Sequence, residues 1–337
     1  MNKIISESHI IADGRWSGPN GIGRFSSEVL SRLQHTTIFT EGPNPLSPAN
    51  FIWQAQQLYR FKNQYKVFFT PGFNSSIHTP MPFVFTLHDL IHLFAPGNAA
   101  WIKRFYYHFF MRPAAHNAYK ILTVSDYSKQ SILKWAAISE EKIVNVSCGV
   151  SEHLSPLGVK HNPGYPYLLH IGNTKPHKNV TRLVQAFAKS HIDSDIRFIL
   201  TGQANPGLLA MIDKHNLQQR IIFSNTLSEN ELANYYRGAK AVVFPSLYEG
   251  FGLPVLEGMA CGVPVLTSNT TSLPEVAGDA ALLIDPFSVD SLSVGIEKIC
   301  SDETVRQTLV TKGLERVKLF TWEKTASKVQ KVLNELC

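Results

Sequence analysis

The sequence predicts an α/β protein built from two parallel β-sheets, each wrapped by helices. Short apolar runs alternate with helix-periodic stretches through both halves of its 337 residues. Residues 151–166 carry three prolines, two glycines and little periodicity, which makes them a linker between the halves. At 44% hydrophobic content the chain is long enough for two ordinary cores.

In chain order, strands are expected at 3–11, 67–70, 83–87, 121–124 and 143–146, with helices at 24–33, 99–112 and 126–135. After the linker, strands are expected at 167–171, 197–200, 221–223, 241–244, 263–267 and 281–284. Ser228-Glu229-Asn230-Glu231 is a capping box that opens a helix reaching about Arg237. The tail 321–336 sets Trp322, Ala326, Val329 and Leu333 near one helix face. The expected domains are therefore 1–150, the linker 151–166, a second domain 167–318 and a terminal helix in 319–337.

No apolar run approaches the ~20 residues that span a bilayer. The first eleven residues include Lys3, Glu7 and His9 and no signal-peptide core, so a cytoplasmic location is expected. Cys148, Cys261, Cys300 and Cys337 have no metal-binding spacing and are expected to be free thiols. Residues 1–150 hold 14 Lys+Arg against 8 Asp+Glu, and the remainder holds 18 against 18, so the net charge of +6 lies in the first half. That half suits an anionic partner: a lipid surface at the inner face of a membrane or a phosphorylated acceptor, and not nucleic acid, since no recognition module is present.

The stretch from Glu249 to Val265 sets Glu249 and Glu257, separated by seven residues, where an apolar strand turns into a helix. Gly250 and Gly252 permit close backbone approach, and Pro254 suits a first helical turn. Unpaired N–H groups near 252–255 would converge on an anion with the helix dipole behind them, and phosphate is the expected guest. Glu257, one turn into the helix, would accept hydrogen bonds from a sugar hydroxyl beside that phosphate. The competing readings are a dipole-complementing Glu257 with a solvated Glu249, or the carboxylate pair of a glycoside hydrolase. Geometry disfavours the hydrolase: retaining hydrolases hold their carboxyl groups roughly 5 Å apart, whereas eight positions along a helix span about 12 Å.

Four motifs occur in a telling order: Gly21-Ile22-Gly23, Leu87-His88-Asp89-Leu90, Thr174-Lys175-Pro176-His177-Lys178-Asn179, and Glu249-x7-Glu257. Over nearly its whole length the chain resembles the retaining glycosyltransferases of family 4. The resemblance implies the GT-B fold, two Rossmann-like domains whose parallel sheets face a central cleft, with the terminal helix crossing back to the first domain. It also implies donor binding through Gly21, Gly23, His177, Lys178, Gly250, Phe251, Gly252, Leu253 and Glu257, and a role for His88 near the reactive carbon of the donor sugar.

The residues support these assignments unevenly. Gly21-x-Gly23 lacks the third glycine of a dinucleotide fingerprint, that position being Ser26. His88 follows a strand and would emerge at its carboxyl end, though a merely hydrogen-bonded histidine is the alternative. Lys178 is placed either to neutralise a departing diphosphate or to sit solvated in a first helical turn. His177 stands where the family commonly has arginine, so its charge would depend on protonation. Along 101–112, Arg104, His108 and Arg112 recur every four residues; the helix is expected to pack Ile102, Tyr106, Phe109 and Phe110 into the core, with docking on a membrane or lipid-linked acceptor as the other reading. Asp193-Ser194-Asp195 precedes a strand and is expected to be a solvated turn, so no metal or other cofactor is expected.

The expected function is transfer of a hexose, by family likeness mannose from GDP-mannose, to a glycan or lipid-diphosphate-linked oligosaccharide in polysaccharide assembly such as that of O-antigen, with His88, Glu249 and Lys178 catalytic. The alternatives are another donor such as a UDP-sugar or dTDP-rhamnose, a nucleotide-sugar epimerase, and a non-catalytic sugar-binding subunit.

Overall fold

The computed structural model describes residues 8–18, 20–47, 49–73, 79–95, 101–224 and 227–337. Residues 3–7 of the first expected strand, residue 19 just ahead of Gly21-Ile22-Gly23 and residues 99–100 of the expected helix lie outside the described residues. Contacts divide the chain into two units: Met1–Phe94, Ala99–Gly149 and Thr321–Cys337 in one, Ala95–Asn98 and Val150–Phe320 in the other. Each contains a six-stranded sheet in which every pairing is parallel.

In the first unit β1 (Ile10–Asp13), β2 (Thr36–Phe39), β3 (Val67–Thr70), β4 (Phe83–Thr86), β5 (Lys120–Thr123) and β6 (Ile143–Asn145) lie in the order β2-β1-β3-β4-β5-β6. The central strands β1, β3 and β4 are buried throughout, as strands covered on both faces must be. Among the elements not expected from the sequence are the strand β2 and the helix Ala49–Phe61. β2 is a partly exposed edge strand, and the helix Ala49–Phe61 buries Asn50 and Gln54 beside Leu58, so its inward stripe is largely polar. The helix Trp322–Asn334 belongs to this unit, with Trp322 6.3 Å from Phe25 of the helix Gly21–Leu30.

The predicted helix over 99–112 is described from its third residue and needs correction. It runs as Trp101–Tyr106, a π-helical turn Tyr107–Met111 and Arg112–Asn117. Pro113 has no N–H for the carbonyl four residues back, and the Arg112 N–H reaches five residues back to the Tyr107 carbonyl. Ile102 and Phe109 do not pack inward; they are 61% and 53% exposed. The buried stripe is Tyr107, Met111, Ala114, Ala115 and Ala118, whose small alanines let the helix approach its neighbours closely.

In the second unit β7 (Tyr167–His170), β8 (Arg197–Thr201), β9 (Ile221–Ser224), β10 (Ala241–Phe244), β11 (Val265–Ser268) and β12 (Leu282–Ile284) lie in the order β12-β11-β10-β7-β8-β9. The helix Val180–Lys189 buries Val180, Leu183, Val184 and Phe187, and Phe187 stacks on Phe198 at 5.3 Å. Side chains of that size contribute roughly 1.5–3 kcal/mol each when fully buried. The capping box forms: the Glu231 N–H donates to Ser228 Oγ and the Ser228 N–H to Glu231 Oε2. Residues 151–166 carry neither helix nor strand.

Both sheets reverse their direction of growth once, between β1 and β3 and between β7 and β10. Loops leaving the carboxyl ends of such a strand pair diverge and open a crevice, where open α/β sheets bind ligands.

Candidate active site

The loops after β7 and β10 meet at the reversal of the second sheet. Lys178 closes a short 3-10 turn, Pro176–Lys178, and Glu249 lies on the loop before the helix Leu253–Ala260. Lys178 Nζ donates to Glu249 Oε1 at 2.7 Å, with side chains only 15% and 13% exposed. The same ammonium lies 4.8 Å from the centre of the Phe244 ring, the last residue of β10. Lys178 is thus a partly buried, paired cation and not a solvated one.

Backbone and side-chain bonds hold the two loops in register. The Leu247 N–H donates to the His177 carbonyl at 2.7 Å, and the buried Asn179 amide donates to the Pro245 and Pro286 carbonyls at 3.0 and 2.7 Å. Asn179 adopts φ 62°, a left-handed conformation that asparagine tolerates better than most residues. Ser272 Oγ lies within 3.0 Å of the Glu249 carbonyl and 2.8 Å of the Phe251 carbonyl, and Thr271 Oγ1 accepts from the Glu249 N–H. The sequence carried no signal for Thr271 or Ser272, which come from the loop after β11.

The helix Leu253–Ala260 begins as expected. Gly252 takes φ 109°, a Cβ there would lie 2.5 Å from Leu273 Cδ2, and Pro254 occupies the first turn. Among the described residues no acceptor takes the N–H groups of Phe251, Gly252 or Leu253, while the Val255 N–H closes on the Gly252 carbonyl. These donors and the dipole make the helix end suited to an anion. Glu257 is 4% exposed and accepts from the Tyr236 hydroxyl at 2.7 Å, so its orientation is set by a residue of another helix, Glu229–Gly238.

His170, which sequence reasoning did not single out, ends β7 beneath this pair. Its ring is 1% exposed and its Nδ1 lies 3.0 Å from the Val243 carbonyl. A carbonyl only accepts, so Nδ1 carries the proton. Burial pushes its pKa down to about 4, which leaves Nε2 a buried lone pair with no partner. Asp193 and Asp195 are exposed ahead of β8, at the amino end of the strands.

In the first unit His88 follows β4, and its Nε2 donates to the Pro71 carbonyl at 2.9 Å. Burial pushes its pKa down to about 4, so at neutral pH it is an uncharged imidazole with its lone pair on Nδ1. Its ring meets Phe25 edge-on at 4.9 Å, which brings the helix Gly21–Leu30 alongside. Gly21 and Gly23 lie in the first turn of that helix, not in a loop before it, because Asn20 caps it by accepting the Gly23 N–H at 2.8 Å. The Gly23 donor is therefore already used. A Cβ at Gly23 would lie 2.3 Å from the Gly18 carbonyl oxygen, so glycine is needed there for close approach. The nearby β1 loop is fixed by a bidentate pair of Arg15 with the buried Asp13, at 2.7 and 2.8 Å. Arg104, His108 and Arg112 lie apart from these residues on a different helical stretch, with Arg104 and His108 exposed and Arg112 half-buried.

Among the described residues no group of three or more His, Cys, Asp or Glu side chains is arranged to hold a metal ion, and no helix is long and apolar enough to cross a membrane. Cys148, Cys261 and Cys300 are buried free thiols and Cys337 is an exposed one.

A family model described as Glycosyl transferases group 1 matches residues 158–316, and one described as Glycosyltransferase Family 4 matches residues 12–154. O-antigen chain mannosyltransferase B of Escherichia coli is 29% identical over 309 residues, covering 88% of this chain and 80% of that protein. An uncharacterized glycosyltransferase of Methanocaldococcus jannaschii is 30% identical over 258 residues, covering 76% of this chain and 69% of that one. Among solved structures, Anabaena HepE in complex with UDP and glucose matches with a TM-score of 0.76 at 17% identity, over 97% of this chain and 99% of that one, a likeness of fold.

Proposed function

This chain belongs to the family of glycosyl transferases group 1 and is a glycosyltransferase, and from that premise we propose that it moves mannose from GDP-mannose to a hydroxyl of a lipid-diphosphate-linked glycan, with retention at the anomeric carbon. The observation that carries the reading is the Lys178–Glu249 pair beside the unpartnered N–H groups at Phe251 to Leu253. It joins a cation and anion-binding donors, suited to a departing diphosphate, to a carboxylate suited to sugar hydroxyls. The mannose and O-antigen assignment follows the name of the Escherichia coli relative.

In this reading Lys178 and the helix end stabilise the charge that grows on the diphosphate as the glycosidic bond breaks. Glu249 holds hydroxyls of the transferred sugar, and Glu257, oriented by Tyr236, holds the nucleotide ribose. His177, through its backbone tie to Leu247, shapes the loop between them. Neutral His88 accepts a hydroxyl of the donor sugar or supports its reactive carbon, with the turn at Gly21 and Gly23 beside it. Lys178 and the helix dipole supply positive charge, so the reading includes no metal ion. The enzyme works in the cytoplasm at the inner face of the membrane that holds its acceptor.

A thermal-shift screen against UDP, GDP, ADP, CMP and dTDP and their sugars, with chelator present, tests the donor site. A selective rise with GDP and GDP-mannose is expected, followed by label transfer from GDP-mannose to an oligosaccharide acceptor with an α-configured product by NMR. A selective rise with another nucleotide replaces the donor; interconversion of the donor alone, without acceptor, makes the protein an epimerase.

A further inference from the structure

The net positive charge of this chain falls within one stretch. Residues 42–125 hold seven Lys+Arg against a single acid, Asp89, an excess equal to the whole net charge of +6, and the remaining 25 basic and 25 acidic residues cancel. Inside that stretch lies the helix with the π-helical turn. Trp101, Phe105 and Phe109 recur along it every four residues and are 74%, 50% and 53% exposed, with Ile102 at 61% beside them. Arg104, His108 and Arg112 recur at the same interval, which the π-helical turn from Tyr107 to Met111 brings close to one residue row per turn, so the aromatic and basic rows run side by side. The Phe105 and Phe109 rings are 4.4 Å apart, which makes the aromatic row continuous. Tyr107 and Met111 anchor the opposite face in the core.

Four large apolar side chains exposed within nine residues mark an interaction surface. A second copy of this chain fits poorly, because a two-fold contact would set the same basic stretch against itself. An anionic bilayer matches both rows, taking rings at the acyl boundary and cations at the headgroup phosphates. We infer that the face formed by residues 101–112 lies flat on an anionic lipid surface, with Trp101, Ile102, Phe105 and Phe109 inserted and Arg104 and His108 at the headgroups. This gives the lipid-linked acceptor reading its docking surface and rests on it for its purpose, but its test needs no turnover.

The test is flotation of the full chain with phosphatidylcholine vesicles made with and without phosphatidylglycerol. Binding only to the anionic vesicles is expected, weakening as salt rises. Phe105→Ser/Phe109→Ser and Arg104→Glu should each reduce partitioning by about tenfold or more. Brominated lipid should quench tryptophan emission in the natural chain and not in Trp101→Phe. Phe105→Ser/Phe109→Ser should keep its unfolding midpoint and its transfer to a water-soluble acceptor, which separates lost docking from lost folding. No flotation with anionic vesicles, flotation indifferent to Phe105→Ser/Phe109→Ser, or concentration-dependent self-association abolished by that variant would each overturn the inference. If instead the natural chain floats but transfers no mannose to a lipid-linked acceptor, the proposed mannose transfer fails and the docking surface stands.

Discussion

Lys178 and Glu249, 71 residues apart in the chain, form a 2.7 Å ion pair across the point where the second sheet reverses direction. Each side chain therefore enters the crevice at that reversal already held by the other. Glu249→Gln keeps the shape and removes the charge that orients Lys178. Turnover should fall by about 100-fold or more, beyond anything a modest drop in unfolding midpoint explains. Steady-state rates with saturating donor, compared with the midpoint, check this; near-normal turnover would remove Glu249 from the chemistry.

His88 and His170 both stay neutral in the folded protein down to about pH 4. In the unfolded chain they titrate near 6.5. The unfolded state thus takes up protons first as pH falls, and stability present above pH 6.5 is lost progressively down to about 4. His170 alone accounts for about 3 kcal/mol at the acid end. Urea unfolding at several pH values should give a slope between 6 and 4 that is shallower in His170→Asn by about 1.4 kcal/mol per pH unit. An unchanged slope would mean that His170 titrates normally.

Tyr236 donates to a carboxylate that is almost wholly buried. Tyr236→Phe leaves that oxygen short of a donor, at a cost of about 1–3 kcal/mol. Denaturant unfolding reads the loss. If Glu257 also holds the ribose, KM for the donor should rise in Tyr236→Phe while KM for the acceptor stays put; equal changes in both would assign Tyr236 to stability alone.

Gly252→Ala meets two obstacles, a left-handed φ and the Leu273 side chain 2.5 Å from the new Cβ. Leu273 Cδ2 is the end of a movable side chain, so the expected cost is about 1–3 kcal/mol and the protein still folds. Gly23→Ala presses on the Gly18 backbone, which has less room to yield, and should destabilise more. Paired thermal melts decide the order, and a milder effect at Gly23 would show the Gly18 loop to be movable.

The alternation of strands and helices, the capping box and the two glutamates around a helix start were legible in the sequence because each is a local pattern. Buried parallel strands read as short apolar runs, and a helix start reads as glycine then proline, whatever surrounds them. β2 and the helix Ala49–Phe61 were not legible, since an edge strand needs no apolar run and Asn50 and Gln54 are polar residues in a buried stripe. Nor were the partners: that Lys178 meets Glu249 and that His170 spans to Val243 depend on β7 lying beside β10, and that Tyr236 reaches Glu257 depends on the helices before and after β10 packing together. The same limit held at residues 101–112, where large apolar residues surround the helix and periodicity alone selects no inward side. Ala114, Ala115 and Ala118 select it, because small side chains let that face approach the core most closely and leave Trp101, Phe105 and Phe109 in solvent. Local chemistry is written in residue order, but which side chains meet and which face stays bare follows from packing between segments far apart in the chain.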